Sequence, residues 1–98
     1  MNRFGEEIKH LRVQKNLLQR QVANLLDIDT PMLSKIERGE RPAKREQVSA
    51  LCRVFETKEG DLFSLWLADK IYDLIKNEPT ALKALSITKD KLKSHKNK

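Results

Sequence analysis

Residues 17–39 read LLQRQVANLLDIDTPMLSKIERG, and the placement of apolar residues in this stretch decides the fold. Val22, Ala23 and Leu26 recur at i, i+1 and i+4 behind Gln19, Arg20 and Gln21, the mark of a short helix that ends near Leu26. Asp27-Ile28-Asp29 then alternates polar, apolar, polar as a connection. Asp29 precedes Thr30-Pro31, where it can cap a new helix while Pro31 is tolerated in the first turn. That helix is expected over Thr30 to Arg38, with Leu33 and Ile36 inward. Gly39 is placed to end it in the left-handed conformation that glycine adopts at little steric cost.

Moving outward, Phe4, Ile8 and Leu11 form an i, i+4, i+7 stripe and predict a helix from Arg3 to about Lys15. Val48, Leu51, Cys52 and Phe55 predict another from Lys44 or Arg45 to Phe55, with Cys52 in its buried stripe and therefore a core residue, not a nucleophile. A fifth begins at Thr57 or Lys58 and runs through Leu62 and Phe63. Its stripe continues through Leu67, Ile71, Leu74 and Ile75 until Pro79 imposes a break at Glu78. Ala81, Leu82 and Leu85 give a last weak helical pattern, and the polar residues 94–98 read as a frayed end. The expected architecture is all-α: a five-helix body over residues 1–63 and a C-terminal helical extension over 64–98.

Composition sets the limits of function. With 98 residues, a single small domain is expected, which buries about 60–65% of its unfolded surface without a metal or disulfide. Three Gly, three Pro and 5% aromatics argue against a densely turned β-sandwich. One cysteine excludes a disulfide framework within the chain and a Cys-rich zinc site, so the cytoplasm is the expected compartment. No apolar run approaches a signal-peptide core or the ~18 residues of a membrane span. His10 and His95 have no metal-binding constellation around them. No Gly-rich phosphate loop, Cys-pair motif, zinc-protease motif or Ser-His-Asp arrangement is present, so neither a cofactor nor an enzymatic site is expected.

Two short helices joined by a three-residue turn, the second opening on polar residues and closing on Gly, form the helix-turn-helix pattern. Leu11-Arg12, Leu17-Leu18-Gln19-Arg20-Gln21-Val22-Ala23, Leu26-Asp27-Ile28-Asp29 and Leu33-Ser34-Lys35-Ile36-Glu37-Arg38-Gly39 together resemble the XRE domains of the phage repressor and Cro type, over about residues 4 to 63. The resemblance implies a lambda-repressor-like fold and a DNA-binding, cytoplasmic, nucleoid-associated regulator. Ala23 would let the crossing helices approach closely. Arg12 and Glu37 occupy the positions of a partly buried structural ion pair. The second helix of the motif would enter the major groove, which makes Thr30, Pro31, Ser34 and Lys35 the candidates for base contact. Lys35 can donate to guanine O6 and N7, and the Thr30 methyl can pack on a thymine methyl. Met32 is open between a base edge and packing against the tail. Gln19, Arg20, Arg38, Arg41 and Lys44 are the phosphate candidates, Gln19 at a helix N-terminus; for Arg20, solvent is an equal alternative. Leu18 departs from the Ser or Thr usual at that cap, which leaves the helix end less firmly fixed.

The charge is unevenly placed. The whole chain carries 20 Lys and Arg against 14 Asp and Glu, a formal +6. Residues 1–63 hold twelve basic and ten acidic residues and residues 64–98 hold eight and four. Most of the excess therefore lies in the tail, read as solvated. Between Thr30 and Arg45, however, five basic residues face two acidic ones, the local footprint of a nucleic-acid surface. The extension carries more apolar residues than one edge helix can bury. Trp66 and Leu67 either fold back on the first helix or, as the excess favours, join a dimer surface centred on Trp66, Ile71, Leu74 and Ile75. Together with the resemblance, these features lead to the expectation of a transcriptional regulator that binds a pseudopalindromic operator in double-stranded DNA as a homodimer, acts as a repressor by steric exclusion or by contacting polymerase, and is similar to a restriction-modification controller or an antitoxin. It would be autoregulatory, with a toxin or RNA polymerase as a further contact. The alternative is a helical protein-protein adaptor that keeps the fold without specific DNA recognition.

Overall fold

The computed structural model describes residues 1–96 and consists, among them, of six helices. They are α1 (Arg3–Gln14), α2 (Gln19–Leu25), α3 (Thr30–Glu37), α4 (Arg45–Phe55), α5 (Glu59–Ile75) and α6 (Ala81–Lys96). The first four follow the apolar periodicity within one residue at each end. α5 ends at Ile75, three residues before the break expected from Pro79. Lys76 already closes the helix by donating its N–H to the Tyr72 carbonyl, and a turn through Glu78 follows.

Phe4, Ile8, Val22, Ala23, Leu33, Ile36, Val48, Leu51, Cys52, Phe55, Leu62 and Trp66 make one core. α2 packs on α3, while α1 packs on α3, α4 and α5 and closes the body. Ala23 is fully enclosed beside α3. An added side chain there has no space to enter, so Ala23→Leu is expected to cost about 1–3 kcal/mol through overpacking. The check is a lower urea midpoint at unchanged m-value. Cys52 lies in the core, where burial, and after it the Glu59 charge, pushes its thiol pKa up and away from the reactive thiolate.

Four helices are followed by a residue at positive φ: Asn16 after α1, Asp27 after α2, Gly39 after α3 and Glu56 after α4. Only Gly39 was legible as such a stop. Asn and Asp tolerate the left-handed region because their short polar side chains bond locally, whereas Glu56 has no such excuse in its residue type. At Gly39 a second constraint applies, because a Cβ would sit 2.6 Å from Asn2 Cγ.

The expected frayed end is instead helix: α6 continues to Lys96, and Asn97 and Lys98 lie outside the described residues. Propensity explains this, since Ala, Leu and Lys dominate the segment and no Gly or Pro interrupts it. α6 shares no substantial packing with any other helix. The radius of gyration, 15.5 Å, exceeds the ~13 Å of a compact chain of this length. The boundary expected after residue 63 falls inside α5, whose Leu62 and Trp66 both belong to the core.

Candidate nucleic-acid interface

The placement of α3 depends on a polar cluster beneath it. Glu37, the last residue of α3, is buried, and its carboxylate accepts from Arg12 Nε at 2.8 Å, Arg12 Nη2 at 3.1 Å and Gln19 Nε2 at 3.0 Å. Arg12 also donates to the Leu17 carbonyl at 3.0 Å. The Glu37 carboxylate thus ties together α1, the start of α2 and the end of α3, and Arg12 adds the turn before α2. Gln19, expected to face a phosphate, spends an amide N–H on this cluster.

A second clasp holds the same end of α3 through its backbone. The Asn2 side chain accepts from the Gly5 N–H at 3.1 Å and donates to the Glu37 carbonyl at 2.8 Å. Asp69 of α5 accepts from the Arg3 and Phe4 N–H groups at 3.1 and 2.9 Å. The Glu6 N–H bonds the Asn2 carbonyl. The four N–H groups that open α1 are therefore all satisfied, and in the process α1 is fastened to α3 and α5. Neither Asn2 nor Asp69 is visible as a site residue in the sequence. Asn before a helical stripe is a local cap signal, but a cap supplied from 65 residues away has no local signal.

The helix starts are fixed by different means. Asp29 accepts from the Met32 N–H at 2.8 Å and caps α3. At α2, Leu18 has no capping oxygen; Gln21 instead reaches back with Oε1 to the Leu18 N–H at 2.7 Å. This is the reverse half of a capping box. Gln47 does the same for the Lys44 N–H at 2.8 Å, at the start of α4.

On the outer side of α3, Pro31 and Lys35 are exposed and Thr30 and Ser34 half-buried, while Leu33, Ile36 and Glu37 are buried. Arg20, Arg38, Arg41 and Lys44 are all exposed. Met32 is half-buried and packs against the core of the body, not against the tail. Arg38 is already engaged: it donates to the Ser34 hydroxyl and pairs with Glu40. This hydrogen bond raises the guanidinium pKa and lowers that of the carboxyl. Nε and Nη1 of Arg38 are thereby engaged, and the Ser34 hydroxyl already accepts from Arg38.

Trp66 is a correction. It is 9% exposed, and its indole N–H donates to the Ala43 carbonyl at 2.8 Å. It is a core residue of its own chain, pinning the α3–α4 loop to α5, and is not a surface anchor. Leu74 at 78% and Ile71 at 45% exposure do lie open, and Ile75 is half-buried.

Among the described residues, no helix is long and apolar enough to cross a membrane. No curated protein matches the chain. The fold resembles the crystal structure of the clp gene regulator ClgR from Corynebacterium glutamicum, with a TM-score of 0.61 and 16% identity over 87% of this chain and 90% of that one. The model of the family described as "Helix-turn-helix domain" matches residues 3–66, the span that α1 to α4 and the first half of α5 occupy, and the chain belongs to that family.

Proposed function

We infer that this protein is a sequence-specific DNA-binding transcriptional regulator that engages a pseudopalindromic operator as a homodimer. The observation that carries the reading is α3. Its apolar side and Glu37 are held by the core and by two polar clasps, and the opposite side presents Thr30, Pro31, Ser34 and Lys35 beside Arg41 and Lys44. A helix so fixed can be carried into a major groove as a rigid reader. Lys35 is its free cation, with no acidic partner within 4 Å among the described residues. Pro31 offers no hydrogen bond, so contact and DNA shape carry part of the readout.

The homodimer is supported by the two-faced character of α5. Leu62, Trp66 and Asp69 meet the body, whereas Leu67, Ile71 and Leu74 lie about 140° further round the helix. These three are exposed, and this chain's own core cannot reach them. Two copies joined there would present two α3 helices to half-sites about 34 Å apart. The likeness to ClgR, a gene regulator, is consistent with regulation. Autoregulation, repression and contact with a toxin or polymerase belong to the same reading.

Footprinting on a library of duplexes tests it. Lys35→Ala is expected to relax preference at one base pair per half-site, with about 1–3 kcal/mol of discrimination lost there. An equal loss on every sequence would refute direct readout by Lys35.

A further inference from the structure

Four cations gather where the α3–α4 loop meets α5. Arg41 and Lys44 from the loop, with Lys70 from α5, line a groove of about 550 Å³ whose remaining wall is Pro42, Ala43 and Trp66. The Arg45 guanidinium lies 5.2 Å from the Trp66 ring centroid and 5.3 Å from that of Phe63. Lys70 Nζ lies 4.5 Å from the Trp66 centroid. Both charges thus sit on one indole, within about 10 Å of each other, roughly one Debye length at 0.1 M salt. Among the described residues none of the four has a carboxylate within 4 Å, unlike Arg38, which Glu40 neutralises.

Acids line both adjoining cavities, though among the described residues none lies within 4 Å of these cations. Asp27 and Glu46 line the one that shares Arg41 and Lys44, and Asp69 and Asp73 line the other. However, Asp69 accepts from the N–H groups that open α1, and Asp73 pairs with Lys76 at 3.7 Å. The ring attracts cations weakly at an exposed site, enough to orient two of them without cancelling their charge. Unneutralised, pre-positioned cations beside an aromatic wall are suited to an anion.

We propose that this groove binds a phosphodiester of the DNA backbone, with Lys70 extending the contact surface from the loop onto α5 and Arg45, at the start of α4 and also held against Trp66, flanking it. The proposal rests on the DNA-binding reading and adds residues outside the helix-turn-helix itself. Trp66 acts as a positioning residue: its N–H fixes the loop that carries Arg41 and Lys44, and its ring orients the other two cations.

The test uses the full chain. Neutralising one phosphate contact lowers the slope of log K against log salt by about 0.9. Lys70→Ala is therefore expected to flatten the slope by about 1 per protomer, with sequence preference unchanged. Arg53→Ala, at the far end of α4, is expected to leave it as in the wild type. Trp66 is the sole tryptophan, so its emission reports the groove directly and is expected to shift when duplex DNA is added. That shift should fade in Lys70→Ala. If the wild type binds no duplex, the DNA-binding reading itself fails. If it binds and Lys70→Ala keeps the full slope, the groove proposal alone is overturned. A Trp66 shift produced by inorganic pyrophosphate but not by duplex DNA would also overturn it, in favour of a free-anion site.

Discussion

Glu37→Ala is expected to destabilise the protein by about 3–5 kcal/mol, the range for removing one partner of a buried ion pair. Arg12 would remain charged, with its side chain only 12% exposed, and would keep only the Leu17 carbonyl as a protein acceptor. Gln19 would lose its acceptor as well. For a domain of this size each kcal/mol lowers Tm by about 4–8 °C, so the melting transition should fall by at least about 12 °C. The loss comes from a stranded charge and not from the pair's own net worth. The double variant Arg12→Met with Glu37→Leu is therefore expected to be far less destabilised than Glu37→Ala. Chemical denaturation of both variants checks this, and a double variant no more stable than the single one would mean that the cluster stabilises chiefly through its hydrogen bonds.

This cluster also marks where the sequence stops being informative. Helices α1 to α4 were legible because each apolar stripe has a local period, and Asp29 and Gly39 act on residues within one turn. Arg12 and Glu37 come together through the resemblance. Nothing local announces that Gln19 completes them, because its role depends on how α2 crosses α3. Asn2 and Asp69 are hidden for the same reason: they satisfy N–H groups at the start of α1, and Asp69 does so from 65 residues along the chain. Leu18 shows the reverse case. Its residue type signals a weak helix start, yet Gln21, three residues on, supplies a bond from the other direction.

Trp66 shows why apolar count alone misplaces a residue. The stretch from Leu65 to Ile75 carries apolar side chains on both sides of α5, and periodicity cannot say which side faces the body. The indole N–H decides the matter, since a buried donor needs an acceptor and Ala43 supplies one. The adjacent Lys70 has no signal in the sequence because its significance comes from Arg41, Arg45 and the Trp66 ring, all of which the fold brings to it. α6 departs in another way. The absence of apolar residues near its end suggests fraying, but local helix propensity governs a helix without a substantial packing partner.

Separating the two faces of α5 leads to the second large effect. Ile71→Lys combined with Leu74→Lys is expected to convert a dimer to a monomer in sedimentation experiments at micromolar concentration. Both positions are exposed in the single chain, so the thermal stability of the body should change little, within the roughly 0.5 kcal/mol typical of surface substitutions. In a two-fold interface each substitution occurs on both sides, which places cations against cations as well as removing apolar contact. With one α3 helix per particle, the second half-site no longer benefits from being held at high effective concentration. Apparent affinity for a two-half-site operator should fall by about 10²–10⁴-fold, while affinity for an isolated half-site stays as it was. Trp66→Ala provides the contrast: its loss should appear in folding, at about 3–5 kcal/mol for a buried aromatic. An unchanged sedimentation coefficient in the double Lys variant would remove α5 from the interface, and a wild type that sediments as a monomer would remove the homodimer itself.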